Sequence, residues 1–311
     1  MIAPKKTFRH YLTLVISLLF ICTCIYVVWD NTDRIRELVL IPVGSLLLAS
    51  AMFVINITIR ASFNWSLFRQ HGNNVPFPTY IALYLFTTGL SSFIPASGSI
   101  YAAQYLKNHH DVNTVDFVGI FGGFNLLLAL SGSIIGAGLV GVAWQVSGNF
   151  YVEVFCIFLL TMVGIFLLKS TWLKNAIGTP TQLAFAQQAF DGIRSLLGSY
   201  KMIFLSALTI TGLIITTFIA IWNLSAGAEL DVNPIQLLML VLSQVLSGLI
   251  PLSPGGIGLQ EAAAVIFGAA MNINLVDLFL IFVLWRVLRM LVIIILLIPT
   301  RFYINRKSGD A

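Results

Sequence analysis

The sequence PGGIGLQE, residues 254–261, interrupts an apolar region that extends from residue 235 to residue 271. Three glycines within four residues, Gly255, Gly256 and Gly258, place bare backbone inside this region. A backbone N–H group without a partner in hydrocarbon costs several kcal/mol, so protein, water or a ligand must meet it. As helices, the two legs beside the interruption would span about 24 Å and about 21 Å, less than the ~30 Å core of a bilayer. The pattern therefore predicts two short helices around a break.

A similar interruption lies in the first half of the chain. There the sequence PASG, residues 95–98, divides the apolar region 80–106. Pro95 and Gly98 are residue types that end or bend helices. Each of the two regions is therefore predicted to be either a re-entrant helical hairpin or a short broken span.

The composition excludes a soluble fold. The 311 residues are 58% hydrophobic and 9% charged, whereas an ordinary soluble domain carries roughly 25% charged residues. Stretches long and apolar enough for full spans cover residues 11–29, 38–59, 117–144, 150–168, 202–223 and 277–298. The sequence thus predicts an all-α polytopic membrane protein, one integral membrane domain over residues 1–311, with about six full spans and two hairpins.

The charged residues and the cysteines indicate neither nucleic-acid binding nor a disulfide or metal site. The net charge of +5 is scattered between long uncharged stretches, which argues against nucleic-acid binding. The three cysteines lie in apolar runs, so neither a disulfide framework nor a thiolate metal site is predicted. No nucleotide loop of the Walker type occurs, and no cofactor is expected.

The distribution of Lys and Arg predicts the topology, because these residues concentrate in cytoplasmic loops. If both interrupted regions return to the side from which they came, thirteen basic residues lie inside and two outside. If each region crosses once, the split is eight to seven. The first arrangement is preferred, with both termini cytoplasmic at the inner membrane and hairpins of opposite orientation, although two short full crossings per region give the same parity. This count places Arg60 in a cytoplasmic loop.

Opposed pairs of broken helices are typical of transport proteins, where backbone groups at the breaks form the substrate site. Between the predicted spans 150–168 and 202–223, residues 181–199 place apolar and polar side chains on opposite faces, which predicts an interfacial amphipathic helix.

The PGGIGLQE segment and the last span carry the candidate binding residues. A helix that starts near Gly258 would direct its free N–H groups and its positive dipole end into the break, which favours an anion, with Glu261 in the first turn. Arg286 and Arg289 lie three residues apart in an otherwise apolar span, and buried cations of this kind need a partner or a water-filled path. One Glu261 can neutralise one arginine and leave the other guanidinium for an anionic ligand such as a lipid phosphate.

A structural interpretation of the same residues stays open. Glu261 would then cap its helix and the glycines would permit tight packing. Arg286 would pair with Glu261, while Arg289 would extend its charge towards the cytoplasm.

Two motifs are similar to those of a known family. The pattern Pro254-Gly255-Gly256-x-Gly258-x-x-Glu261 and the earlier Pro95-x-x-Gly98 break resemble the transmembrane flippase-like domain of lysylphosphatidylglycerol synthases and their stand-alone relatives. The resemblance implies a protein that moves a lipid with a modified or glycosylated anionic headgroup between leaflets. It implies no lipid synthesis, because the aminoacyl-transferring domain of the fused enzymes is not part of this sequence. Relatives also carry an acidic and a basic residue after the first motif, whereas this chain has no charge before Lys107.

These observations predict a flippase-like transporter, not an enzyme, for an anionic phospholipid or a lipid linked through polyprenyl phosphate. The partners expected are this lipid, the membrane and a lipid-modifying or glycosyl-transferring enzyme. Alternatives are a carrier of a small anion, an intramembrane lipid-modifying enzyme and a scaffold for a glycosyltransferase. The predicted substrate-binding residues are Pro95, Gly98, Gly255, Gly256, Gly258, Glu261, Arg286 and Arg289.

Overall fold

A computed structural model describes residues 41–93, 97–148, 151–169, 199–230, 232–248 and 259–309. Every regular element in these ranges is an α-helix. The helices are α1 Val43–Gln70, α2 Phe77–Phe93, α3 Ser97–His110, α4 Thr114–Ser147, α5 Val152–Lys169, α6 Tyr200–Gly227, α7 Pro234–Ser247, α8 Leu259–Ala270 and α9 Leu275–Gly309. The predicted all-α class is confirmed.

Four of the described helices are long and apolar enough to cross a membrane: Val43–Gln70, Gly119–Val146, Tyr200–Gly227 and Leu275–Thr300. Their outward faces carry exposed aliphatic and aromatic side chains, such as Leu47, Phe204 and Ile295, which suits contact with lipid. The chain is therefore a multi-pass membrane protein. The predicted span 11–29 lies outside the described residues, and so does the predicted interfacial helix apart from Ser199.

The first described helix is longer than predicted. The sequence places a span over 38–59 and a loop at Arg60, but α1 continues to Gln70 and Arg60 lies past its middle. The apolar pattern persists beyond Arg60, where Ala61, Phe63 and Leu67 are buried. The assignment of Arg60 to a cytoplasmic loop is therefore wrong, because one charge facing the protein interior does not end a helix.

Helices α2 and α3 form an antiparallel hairpin around the first predicted break. The rings of Phe86 and Tyr101 lie 5.0 Å apart, and the N–H of Gly98 donates to the hydroxyl of Ser91 at 3.2 Å. A Cβ atom at Gly98 would clash with the carbonyl oxygen of Thr87. Only glycine permits this approach of the two backbones.

Helices α7 and α8 form the second antiparallel hairpin. Near its tip, the Gln244 Nε2 atom donates to the carbonyl oxygen of Gln260 at 2.6 Å. Near its open end, the Gln236 Nε2 atom donates to the carbonyl oxygen of Met271 at 3.0 Å. Both predicted pairs of short helices are thus present, and their re-entry into a membrane stays a prediction.

The two hairpins open at opposite ends of α1. The α2–α3 hairpin opens at the C-terminal end of α1, where the indole of Trp65 donates to the Val75 carbonyl at 2.8 Å. Helix α6 is antiparallel to α1, since Asn223 near its end donates to the Ser45 carbonyl at 3.0 Å. Helix α7 begins seven residues after α6 ends, so the α7–α8 hairpin opens at the N-terminal end of α1. The hairpin tips therefore approach each other from opposite directions.

Candidate functional site

A cavity of about 270 Å³ lies where the two hairpin tips approach each other. The first hairpin contributes Ser91, Ser92, Gly98 and Ser99 to its lining, and the second contributes Gly248 and Gln260. Phe53, Asn56 and Arg60 line it from the central turns of α1. The cavity is thus at mid-height in a helix of 28 residues, whose length is about 42 Å.

Arg286 and Arg289 of α9 contribute two positive charges to the cavity. Their Nη2 atoms donate to one acceptor, the Oε1 atom of Gln260, at 3.3 Å and 3.0 Å respectively. Arg286 is only 8% exposed. As their spacing predicts, both side chains reach the same side of α9.

Aromatic packing holds this part of α9 against α1. The guanidinium of Arg289 lies 5.6 Å from the ring centroid of Trp285, a cation–π distance. Trp285 is buried and meets Phe53 edge to face, with 5.8 Å between the ring centroids. Arg289 therefore contacts Gln260 on α8 and Trp285 on its own helix, and Trp285 in turn packs against α1.

Arg60 is a third arginine at the cavity, and it comes from a different helix. It lies beside the hydroxyl group of Tyr84 on α2. Together with Arg289 and Gln260 it also lines an adjoining smaller cavity of about 70 Å³. Arg60 and Arg289 therefore line both cavities.

Asn64 extends the polar surface of α1 by one turn. Asn56, Arg60 and Asn64 are spaced four residues apart, so they share one face of the helix, and all three line the cavity. The Asn56 amide lies 2.8 Å from the Thr216 hydroxyl on α6. Asn64 is 0% exposed, and neither its Nδ2 nor its Oδ1 atom has a hydrogen-bond partner among the described residues.

Hydroxyl-bearing residues of α2 also line the cavity. The hydroxyls of Thr87 and Thr88 donate to the carbonyl oxygen of Tyr84, at 3.1 Å and 2.7 Å. Within the described part of the lining there are three arginines and no Asp or Glu. The arrangement can therefore bind an anion, with neutral donors and acceptors around it.

The structure brings together three of the predicted site residues, Gly98, Arg286 and Arg289. The N–H of Gly98 is used by Ser91, so this residue shapes the cavity through its missing side chain. Pro95, Gly255, Gly256 and Gly258 lie outside the described residues. Glu261 belongs to the first turn of α8, but its side chain is not among those described, and its pairing with Arg286 stays a prediction.

Sequence reasoning missed Arg60, Asn64 and Gln260. The four-residue spacing of Asn56, Arg60 and Asn64 inside an apolar helix is a signal that could have found two of them. Gln260 adjoins Glu261, and an uncharged amide carries no comparable signal. Gln260 acquires its role in the site only through contacts with α9, which is distant in sequence.

The fold and the site define the class of the protein: an all-α, multi-pass membrane protein in which two oppositely directed helical hairpins enclose a basic cavity. The chain belongs to the family of the lysylphosphatidylglycerol synthase TM region, whose sequence profile matches residues 14–296. The family resemblance drawn from the glycine motifs is thereby confirmed, and with it the assignment to a flippase-like membrane domain. Comparison with individually curated proteins gave no match.

Proposed function

We propose that the protein moves an anionic lipid between the two leaflets of the inner membrane. The observation that carries this proposal is the cavity at mid-height of the helix bundle, lined by Arg60, Arg286 and Arg289. A lipid phosphate crosses bare hydrocarbon slowly because its charge loses hydration there. Guanidinium groups at that depth replace part of this hydration and so lower the barrier.

The two hairpins supply the route to the cavity. Each reaches it from a different end of α1, so a movement of either tip opens the cavity towards one side. The lipid chains stay in the bilayer while the headgroup passes along the polar face formed by Asn56, Arg60 and Asn64. In this proposal the hairpins are re-entrant, and the protein moves the lipid without altering its covalent structure.

The distribution of charge along the bundle supports the proposed orientation. Arg69, Lys107 and Lys201 lie at or near the C-terminal end of α1, while Glu153, Glu229 and Asp277 lie at the opposite end. No Lys or Arg lies at that opposite end in the described ranges. When Arg60 is left out of the count, twelve basic residues are predicted on the cytoplasmic side and two on the outside. The positive-inside rule therefore still favours cytoplasmic termini. A lipid-modifying or glycosyl-transferring enzyme would supply or consume the lipid on one side.

Leaflet exchange in vesicles tests the proposal. Purified protein is reconstituted with a trace of fluorescent phosphatidylglycerol, and the fraction open to an impermeant quencher is followed over time. We expect exchange well above the protein-free rate and a decrease of at least tenfold for Arg289→Gln. Arg69→Gln, which removes the same charge from an exposed position at the end of α1, should exchange lipid as the unsubstituted protein does.

The same vesicles distinguish the alternatives. Exchange at the protein-free rate for phosphatidylglycerol, phosphatidate and a polyprenyl-phosphate sugar would overturn the proposal. Uptake of radiolabelled phosphate in place of lipid exchange would assign the cavity to a carrier of small anions.

A further inference from the structure

Asn64 lies on the wall of the cavity, and its amide is left without a hydrogen bond. The side chain is 0% exposed, and within the described part of the chain neither its Nδ2 nor its Oδ1 atom has a partner. A buried amide in this state loses its hydration without compensation, so such groups are rare in folded proteins. Polar residues inside a membrane usually mark a substrate path. Asn64 is therefore a candidate for a contact that a ligand completes.

The position of Asn64 indicates which part of a lipid could reach it. Asn64 lies one helical turn beyond Arg60 on the same face of α1, with about 5–6 Å between the Cβ atoms. Its turn of α1 packs against neighbouring helices, since the rings of Phe63 and Phe124 lie 5.5 Å apart. Lipid chains cannot leave the protein at such an enclosed point. The group that reaches Asn64 is therefore the free end of a headgroup whose phosphate lies near Arg60.

The amide group determines which chemistry can satisfy Asn64. Its Nδ2 atom donates and its Oδ1 atom accepts, so the partner must offer both an acceptor and a donor. An ionised phosphate oxygen only accepts, and it would leave Oδ1 without a hydrogen bond. A hydroxyl group both donates and accepts. Two hydroxyls on adjacent carbons can satisfy both amide atoms at once.

Aromatic rings of α4 line the same cavity and suit the carbon skeleton of such a group. Phe117, Phe121 and Phe124 belong to the lining, and the planes of Phe117 and Phe121 are 8° apart. A polyol presents hydroxyls at its edges and C–H groups between them, and C–H groups pack on ring faces by dispersion. Asn125 of α4 adds a second amide to the lining. Amides together with apolar rings fit a neutral, hydroxylated group.

We infer that Asn64 is a specificity-determining residue that binds adjacent hydroxyl groups at the free end of the lipid headgroup, as in glycerol or a sugar. This inference rests on the proposed function, and it names the neutral part of the substrate. The surface of Asn64 is closed in this structure, so the surrounding side chains must move apart when the headgroup enters.

Competition between two lipids of equal charge tests the inference without any substitution. Dioctanoyl phosphatidylglycerol and dioctanoyl phosphatidylpropanol differ only in the hydroxyls of the headgroup. Equal amounts of both are added to the purified full chain, and the bound lipid is quantified by mass spectrometry. We expect at least fivefold more bound phosphatidylglycerol than phosphatidylpropanol. Equal occupancy by the two lipids would overturn the inference.

A substitution assigns this preference to Asn64. Asn64→Leu keeps the approximate size of the side chain and removes both polar atoms, so the two lipids should bind equally. Phosphatidylpropanol should bind as it does to the unsubstituted protein, which shows that the variant is folded. Asn108→Leu removes an exposed amide from α3 and should keep the preference for phosphatidylglycerol. A preference that persists in Asn64→Leu would contradict the inference.

Dioctanoyl phosphatidylinositol distinguishes the two sources of adjacent hydroxyls. Greater occupancy by this lipid than by phosphatidylglycerol supports a hydroxylated ring such as a sugar. Smaller occupancy supports a glycerol headgroup. If neither lipid binds better than phosphatidylpropanol, recognition of hydroxyls is refuted.

Failure of this inference and failure of the proposed function give different results. If vesicles exchange phosphatidylpropanol as fast as phosphatidylglycerol, transport stands and the recognition of hydroxyls is refuted. If the protein binds phosphatidylglycerol selectively but accelerates the exchange of no lipid, the recognition stands and transport is refuted.

Discussion

The Nη2 atom of Arg289 lies 3.0 Å from the Oε1 atom of Gln260, and this hydrogen bond joins the last long helix to the tip of the second hairpin. Arg286 donates to the same oxygen at 3.3 Å. One neutral amide thus accepts hydrogen bonds from two cationic side chains inside an apolar bundle. The same amide lines the cavity, so the contact between α8 and α9 lies at the candidate site.

Removal of this amide should loosen the hairpin. Hydrogen bonds to charged groups contribute roughly 1.5–3 kcal/mol, so Gln260→Ala should destabilise the protein by about that amount. The measurement is the thermal midpoint of the purified protein in detergent. Gln104→Ala, an exposed change on α3, should stay within about 0.5 kcal/mol of the original protein. Equal midpoints for the two variants would show that the contact does not hold the hairpin.

The long apolar stretches of the sequence predicted the helices, because a segment in hydrocarbon must form its backbone hydrogen bonds within itself. The same reasoning wrongly placed the end of a span before Arg60, because a charged residue inside an apolar helix is tolerated when it faces a cavity. The first hairpin was predictable because Pro95 and Gly98 are residue types that end or bend helices. Gln260 was not, since a neutral amide acquires its role only when α9 places Arg286 and Arg289 beside it. Distant contacts of this kind have no signature within one segment.

Gly98 provides a test of the first hairpin. In Gly98→Ala the added Cβ would clash with the backbone oxygen of Thr87, which cannot rotate away. We expect a loss of about 1–3 kcal/mol, seen as a lower thermal midpoint, with reduced lipid exchange. Gly138→Ala in α4 meets no atom within 4 Å and should be neutral or stabilising. A neutral Gly98→Ala would mean that α2 and α3 do not pack this closely.

The orientation of the bundle can be read by labelling single cysteines in a background without Cys22, Cys24 and Cys156. Asn108 lies near the end of α3 and Asn233 precedes α7, so they lie at opposite ends of the bundle. With cytoplasmic termini, a cysteine at Asn233 should react with an impermeant thiol reagent in intact cells. One at Asn108 should react only after the cells are opened. The reverse pattern would invert the proposed orientation.

The predicted pairing of Glu261 with Arg286 is open to a double-mutant cycle. Removal of one partner of a buried pair costs roughly 3–5 kcal/mol, because the other charge is left uncompensated. Glu261→Gln should therefore destabilise, and the additional change Arg286→Gln should restore part of the loss. Folded yield and thermal midpoint measure both effects. Strictly additive losses would exclude direct coupling between the two side chains.

A comparison of substitutions at Asn64 and Asn56 distinguishes a role in ligand binding from a role in folding. Asn56 is bonded to α6, where its amide lies 3.1 Å from the Leu213 carbonyl, whereas the buried amide of Asn64 has no partner among the described residues. An unsatisfied buried amide costs about 1–3 kcal/mol, so Asn64→Leu should raise the thermal midpoint while it lowers lipid exchange. Asn56→Leu removes a contact between helices and should lower the midpoint. The two positions lie eight residues apart on one face of α1. Opposite effects of the same substitution on stability are expected if Asn64 serves ligand binding and Asn56 serves the fold. If Asn64→Leu destabilises the protein as Asn56→Leu does, Asn64 serves the fold and its place in the binding site is refuted.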